Sequence, residues 1–201
     1  EFQPKAFPVE RADVLNNLGR FTLWRAEQRF VGGSDERDQL RLRAIDLFTK
    51  ALTLVHMRMT HPRARLHTNL AAACCDLSLS HQPRSLEKAI SFTEQALQAF
   101  DRVNNPMNWA VAIANLGETK RNLAEFHYRQ IPVNAKAPRD RYQKAKQLGI
   151  DAIEHLEVAK NMLETENERN YSDYIDAQTK KARELLSRVD RHTEAQPERA
   201  G

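Results

Sequence analysis

Glycine and proline are scarce. The 201 residues hold 6 and 8 of them, where average usage would place about 24 of the two together. A turn-rich β fold needs such residues at every hairpin, so the shortage argues for long helices. Cysteine is scarcer still. The two present, Cys74 and Cys75, are adjacent and cannot staple distant segments, which excludes a disulfide framework and fits a reducing compartment. Long apolar runs are missing as well. The longest, Leu70 to Cys75 and Trp109 to Ala114, have six residues each, against the about 18 that a membrane span requires. The expectation is a cytoplasmic chain with no membrane role. The N-terminus has no basic region leading into an apolar stretch, so no secretory leader is read there. It also has no initiator Met, and a piece of a larger protein is one expectation. Charge bias is small: 31 Lys and Arg against 27 Asp and Glu, a net +4, too mild to make nucleic acid the default partner.

Catalytic constellations are absent too. Gly32-Gly33 lacks the Lys-Ser/Thr that completes a phosphate-cradling loop, and neither CxxC nor His-Glu-x-x-His occurs. His56, His61 and His67 lie five and six apart across Pro62, a poor geometry for metal ligation. His67 and Cys74 share a helical face at a spacing of seven, but both fall where a core is expected, and small buried cysteines are common. No enzyme, cofactor or metal is therefore expected. Lys136, Arg139, Arg141, Lys144 and Lys146, with Tyr128 and Tyr142 nearby, form a basic patch that could meet phosphates. Asp140 interrupts it, and nucleic acid stays a minor reading.

What is present is a repeat. Apolar residues make up 41% and charged residues 29%, enough for a core. Three segments align without gaps: PVERADVLNNLG from Pro8, THPRARLHTNLA from Thr60 and PMNWAVAIANLG from Pro106. Their shared core is Ala-x4-Asn-Leu-Gly/Ala, at Ala12/Asn17/Leu18/Gly19, Ala64/Asn69/Leu70/Ala71 and Ala110/Asn115/Leu116/Gly117. A second pattern, Ala-Ile-x5-Ala, follows each first one: Ala44-Ile45 to Ala51, Ala89-Ile90 to Ala96 and Ala152-Ile153 to Ala159. A spacing of seven puts both alanines on one helical face. The unit is two helices, A then B, repeated three times. The A copies are offset by 52 and 46 residues and the B copies by 45 and 63, so the third unit carries an insertion. Small residues let helices approach closely, with Leu18, Leu70 and Leu116 filling the space between. One such pair cannot bury its apolar stripe alone, so stacking is required.

Breakers complete the layout. Val31 to Asp35 separates A1 from B1, His81-Gln82-Pro83 separates A2 from B2, and Ile131 to Pro138 brackets the insertion. Ser85 is a candidate cap for B2. Tyr171 to Val189 reads as an amphipathic helix with Tyr174, Ile175, Ala182 and Leu185 inward. The expected units are about 8–60, 61–104 and 105–165, then a capping helix over 169–190 and a flexible tail over 191–201. Trp24 and Trp109 read as packing residues.

The Leu-Gly pair, the later Ala, and the apolar residue three before the Leu (Leu15 and Ile113, with His67 departing in the second copy) resemble the tetratricopeptide repeat family. His61-Pro62 and Asn16-Asn17-Leu18-Gly19 resemble its long-repeat subtype of kinesin light chains, and Pro106 to Ala110 resembles bacterial repeats joined to signalling domains. The resemblance covers residues 8–165. It implies an all-α, right-handed superhelical stack of three helix-turn-helix repeats plus a C-terminal capping helix. It also implies A helices lining a concave face, with Asn17, Asn69 and Asn115 as a ladder holding the backbone of an extended peptide. Amides suit this role, since each offers an acceptor and two donors. Asn16, Arg20, Arg65, Thr68, Glu118 and Arg121 occupy neighbouring positions and would set specificity. The residue after Leu-Gly/Ala is Arg20, Ala72 or Glu118, which departs from the carboxylate clamp of chaperone-tail readers. The expected function is protein or peptide binding. A structural or regulatory arm of a larger signalling protein is the alternative, and oligomeric state is open.

Overall fold

Gly19 sits on the first helix where a side chain has no room: a Cβ there would lie 2.5 Å from Cε1 of Phe48 on the second. That close approach organises the first of two units. The computed structural model describes residues 7–29, 35–75, 77, 83–131, 139–165 and 169–194. Among them it places seven α-helices and no strand, so the chain is all-α. It divides at Asn104/Asn105 into two compact units.

The first unit holds α1 (Pro8–Arg29), α2 (Asp35–Leu54), α3 (Thr60–Cys75) and α4 (Arg84–Leu97). Asp35, Glu36 and Asp38 in the first turn of α2 suit the positive end of its dipole. Helix α1 packs on α2, α3 on α4, and α3 also meets α2 and α1. The core between α1, α2 and α3 is built from Ala12, Leu23, Ala44, Phe48, Ala51, Leu66 and Leu70. The end of α2 is tied to α3 by Arg63, whose Nη1 donates to the carbonyls of Val55 (3.0 Å) and Leu52 (3.3 Å). Arg41, fully buried on α2, donates to the Ala72 carbonyl. After α4 the chain folds Phe100 back into the core. Asp101 then accepts from the Val103 amide and the Asn104 side chain, and those bonds hold its carboxyl below its ordinary range.

The second unit holds α5 (Pro106–Arg129), α6 (Arg139–Thr165) and α7 (Arg169–Glu194). Pro106 opens α5 at a position where a helix has no use for an N–H. Gly117 meets α6, where a Cβ would lie 2.8 Å from Leu156 Cγ and 3.0 Å from the Ala152 carbonyl oxygen. Gly149 meets Leu186 of α7 in the same way. Ion pairs Lys146–Asp190, Arg183–Glu157 and Lys160–Asp176 join α6 to α7. One set of numbers rises as the other falls, so these helices run antiparallel.

Several expectations are corrected. Leu18 does not fill space between helices. It is 43% exposed, because it lies well round α1 from the Ala12–Leu23 face that meets α2. Trp24 is 51% exposed and stacks on Phe21. Tyr174 is exposed, whereas Ile175, Ala182 and Leu185 are buried together with Val189. Ser85 does not cap α4: Pro83 holds the cap position, no side chain bonds there, and Ser85 is buried in the first turn. Helix α2 ends at Leu54 and α3 at Cys75, and α7 continues through 191–194, where a flexible tail is expected. The Gly32-Gly33 breaker, His81-Gln82, the insertion over 132–138 with Lys136, and the tail beyond 194 lie outside the described residues.

His67 occupies the position that Leu15 and Ile113 hold in the other copies. It is buried beside Phe92, and its Nδ1 has no hydrogen-bond partner. Burial, and then the charge of Arg63, push its pKa below the usual 6.5. The unfolded chain therefore takes up the proton more readily, and stability falls as pH drops below about 6.5. His67→Leu is expected to raise stability by about 1 kcal/mol at neutral pH, since a buried polar atom without a partner costs about that or more. It should also flatten the loss between about pH 6.5 and 5. Urea melts across that range check both, and an unchanged or lowered midpoint would refute the claim.

Candidate functional site

Within each unit two helices run side by side in the same direction. In the first unit Asp13 of α1 meets Arg65 of α3 at 3.6 Å, and Asn16 accepts a hydrogen bond of 2.8 Å from Nδ2 of Asn69. Both numbers rise together, so α1 and α3 are parallel. In the second unit Tyr174 of α7 donates to Glu118 of α5, Arg188 pairs with Glu125, and Tyr128 Oη stands 2.9 Å from His192 Nδ1. Helices α5 and α7 are parallel by the same argument.

The first unit thus carries one candidate face along α1 and α3. Asn16 is almost wholly buried and Asn69 half-buried, and their bridge fixes both amides. The bond uses one donor of Asn69, which keeps its carbonyl oxygen and second N–H as binding capacity. Asn17 and Arg20 stand exposed on α1. Thr68 is half-buried, and its hydroxyl donates back to the Ala64 carbonyl of its own helix. Arg65 and Asp13 are each 58% exposed, so their pair adds little stability and leaves both free to meet a ligand.

The second unit holds Asn115, Glu118 and Arg121 on α5, all half-buried. Arg121 lies 3.9 Å from Glu118. Glu118 also accepts from Tyr174, so α7 engages this acidic position. Sequence reading missed Asp13, Tyr174 as the partner of Glu118, and Glu125 with Arg188. One signal was available: Asp13 and Arg65 are separated by 52 residues, which is the A1-to-A2 offset.

The basic patch is divided. Lys146 is paired with Asp190, Tyr142 is buried, and Tyr128 belongs to the α5–α7 seam. Arg141 donates to the Gln130 carbonyl. A shallow open depression of about 480 Å³ between α5 and α6 is lined by His127, Gln130, Asp140, Arg141 and Lys144, with cations and a carboxylate together.

Cys74 is buried, and burial pushes its thiol up to about 11 despite the opposing effect of Lys88. That is the wrong direction for a nucleophile, which acts as thiolate. Among the described residues no group of three or more His, Cys, Asp or Glu could hold a metal, and no helix is long and apolar enough to cross a membrane. No family model, curated protein or solved structure matches the chain.

Proposed function

We propose that the chain is a non-catalytic recognition module of tetratricopeptide type, which holds an extended segment of a partner protein against amides on its A-type helices. The observation that carries this reading is the Asn69–Asn16 bridge between α1 and α3. It anchors an amide side chain to a neighbouring helix, not to its own backbone, and so presents the remaining donor and acceptor in a fixed place. A peptide backbone offers matching groups at nearly every residue. Asn17 and Arg20 extend the face on α1, and Arg65 and Asp13 flank it with one charge of each sign. The parallel pairing of α1 with α3 and of α5 with α7 supports the repeat reading, with α7 in the place of a further A helix. Asn115 is the corresponding amide of the second unit.

A library of displayed linear peptides probed with the intact chain tests the proposal. Selected peptides should bind with an affinity that Asn17→Ala/Asn69→Ala lowers at least about tenfold, or roughly 1.4 kcal/mol. Circular dichroism and thermal melts of the double variant separate lost binding from lost folding. Peptides bound equally well by the folded double variant would sink the amide face, and a library yielding no binder would sink peptide capture itself.

A further inference from the structure

Helix α1 carries a second surface. At 3.6 residues per turn, Val14, Leu18 and Phe21 fall within about 60° of one another, opposite the buried Ala12, Gly19 and Leu23, and Phe7 stands just before the helix with a φ of 61°. All four are exposed, at 65%, 66%, 43% and 54%, and Trp24 adds its ring beside Phe21 at 5.6 Å. An aromatic side chain presents about 150–250 Å², so the stripe exposes on the order of 500 Å² at these fractions. That matches the largest apolar patch of a typical monomer, and such patches are often functional.

We propose that this stripe is a homodimer interface in which α1 of two copies pairs antiparallel about a twofold axis. Two arguments select a second copy. The first is area: two stripes face to face remove about 1,000 Å², the threshold for a specific interface. The second is charge. With the axis passing between Asn17 and Leu18, Val14 of each copy meets Phe21 of the other, the two Leu18 side chains meet near the axis, and Glu10 faces Arg25. Neither Glu10 nor Arg25 has an ion pair within the chain among the described residues. The helix is complementary to itself when reversed, as an isologous contact requires. Asn17 borders both this stripe and the amide face, but the interface rests on the apolar residues and charges of α1 and not on peptide capture.

Sedimentation velocity on the full chain, from about 1 to 200 µM, reads the outcome across the micromolar range of dissociation constants. A concentration-dependent shift from 23.2 kDa to twice that mass is expected. Leu18→Glu and Phe21→Glu should each weaken dimerisation at least tenfold, with helicity unchanged because both sites are exposed. Glu10→Lys should weaken it as well, and adding Arg25→Glu to that variant should restore it. Restoration by the reciprocal swap would not occur if the charges acted only within one chain. A chain that is monomeric throughout overturns the proposal and leaves the stripe to a different occupant. A dimer indifferent to these substitutions overturns it equally, by placing association elsewhere.

Discussion

Phe48→Ala should cost the first unit about 3–5 kcal/mol, the usual loss for a large aromatic removed from a core. That is a large part of the 5–15 kcal/mol that holds a typical domain together. The ring is fully buried on α2, and its edge fills the space that a side chain at Gly19 would need. The glycine therefore reports on the same contact from the other side. Gly19→Ala gains up to about 1 kcal/mol of helix propensity. It also forces a methyl to 2.5–2.9 Å from three ring atoms, and overpacking costs about 1–3 kcal/mol. The single variant should be destabilised by up to about 2 kcal/mol net. Gly19→Ala combined with Phe48→Leu should lose less than the two changes separately, because the smaller side chain leaves room for the methyl. Guanidinium melts of the four-member cycle give the coupling directly. Strict additivity would show that α1 and α2 do not meet through this contact.

The same close approach explains why so much of the helix pairing could be read from residue order. Ala12, Ala64 and Ala110, and the six alanines of the Ala-Ile-x5-Ala pattern, are each 3% exposed or less. Helices that approach closely accept only small side chains at the crossing, so identity at those positions reveals which side of each helix is covered. Leu18 shows where that inference stops. It sits in the same motif position as Leu70 and Leu116, which are buried, yet it is exposed. The motif states how a helix meets its own hairpin partner and says nothing about whether another helix covers the next face. Tyr174 and Trp24 were misplaced for that reason too, since amphipathic spacing ranks faces without counting neighbours. Polar contacts across helices were the least legible. Asn16–Asn69, Tyr174–Glu118 and Arg188–Glu125 join residues 53, 56 and 63 apart, beyond any local periodicity. Only the first lies within one residue of an offset between A copies. The others depend on how α7 is set against α5 after an insertion of irregular length.

Glu125→Ala should loosen the seam between α5 and α7 and cost about 2–3 kcal/mol at neutral pH. That lies between the fraction of a kcal/mol expected of a surface pair and the larger loss on breaking a buried one. The carboxylate side chain is only 17% exposed, while its partners Arg129 and Arg188 are 59% and 42% exposed and partly screened by water. Arg129 Nε donates to Oε1 at 2.8 Å, and Arg188 grips both oxygens while its guanidinium lies over the Tyr128 ring, 5.2 Å from the centroid. Removing the acid therefore strands two cations beside each other. Burial alone would push the Glu125 carboxyl up. The hydrogen bonds from Arg129 and Arg188, with their charges, overcome it and hold the group below its ordinary 4.5. The sign of the pH effect follows. A depressed folded-state pKa gives stability that is complete above about 4.5 and is lost as pH falls through the lower folded value. Asp151 acts in the same sense: burial raises its carboxyl, but bonds from Gln147 and Lys120 outweigh that and lower it. Urea melts of Glu125→Gln between about pH 6 and 3 should show a shallower acid slope than the parent chain, with the remaining slope carried by Asp151 and other carboxylates. The neutral amide keeps the shape of the side chain, so the change in slope isolates the charge. An unchanged slope would mean that the charge of this carboxylate adds nothing to the seam, which then rests on its other contacts, the packing of Leu185 and Val189 with Ala124 and the Tyr174–Glu118 and Tyr128–His192 bonds.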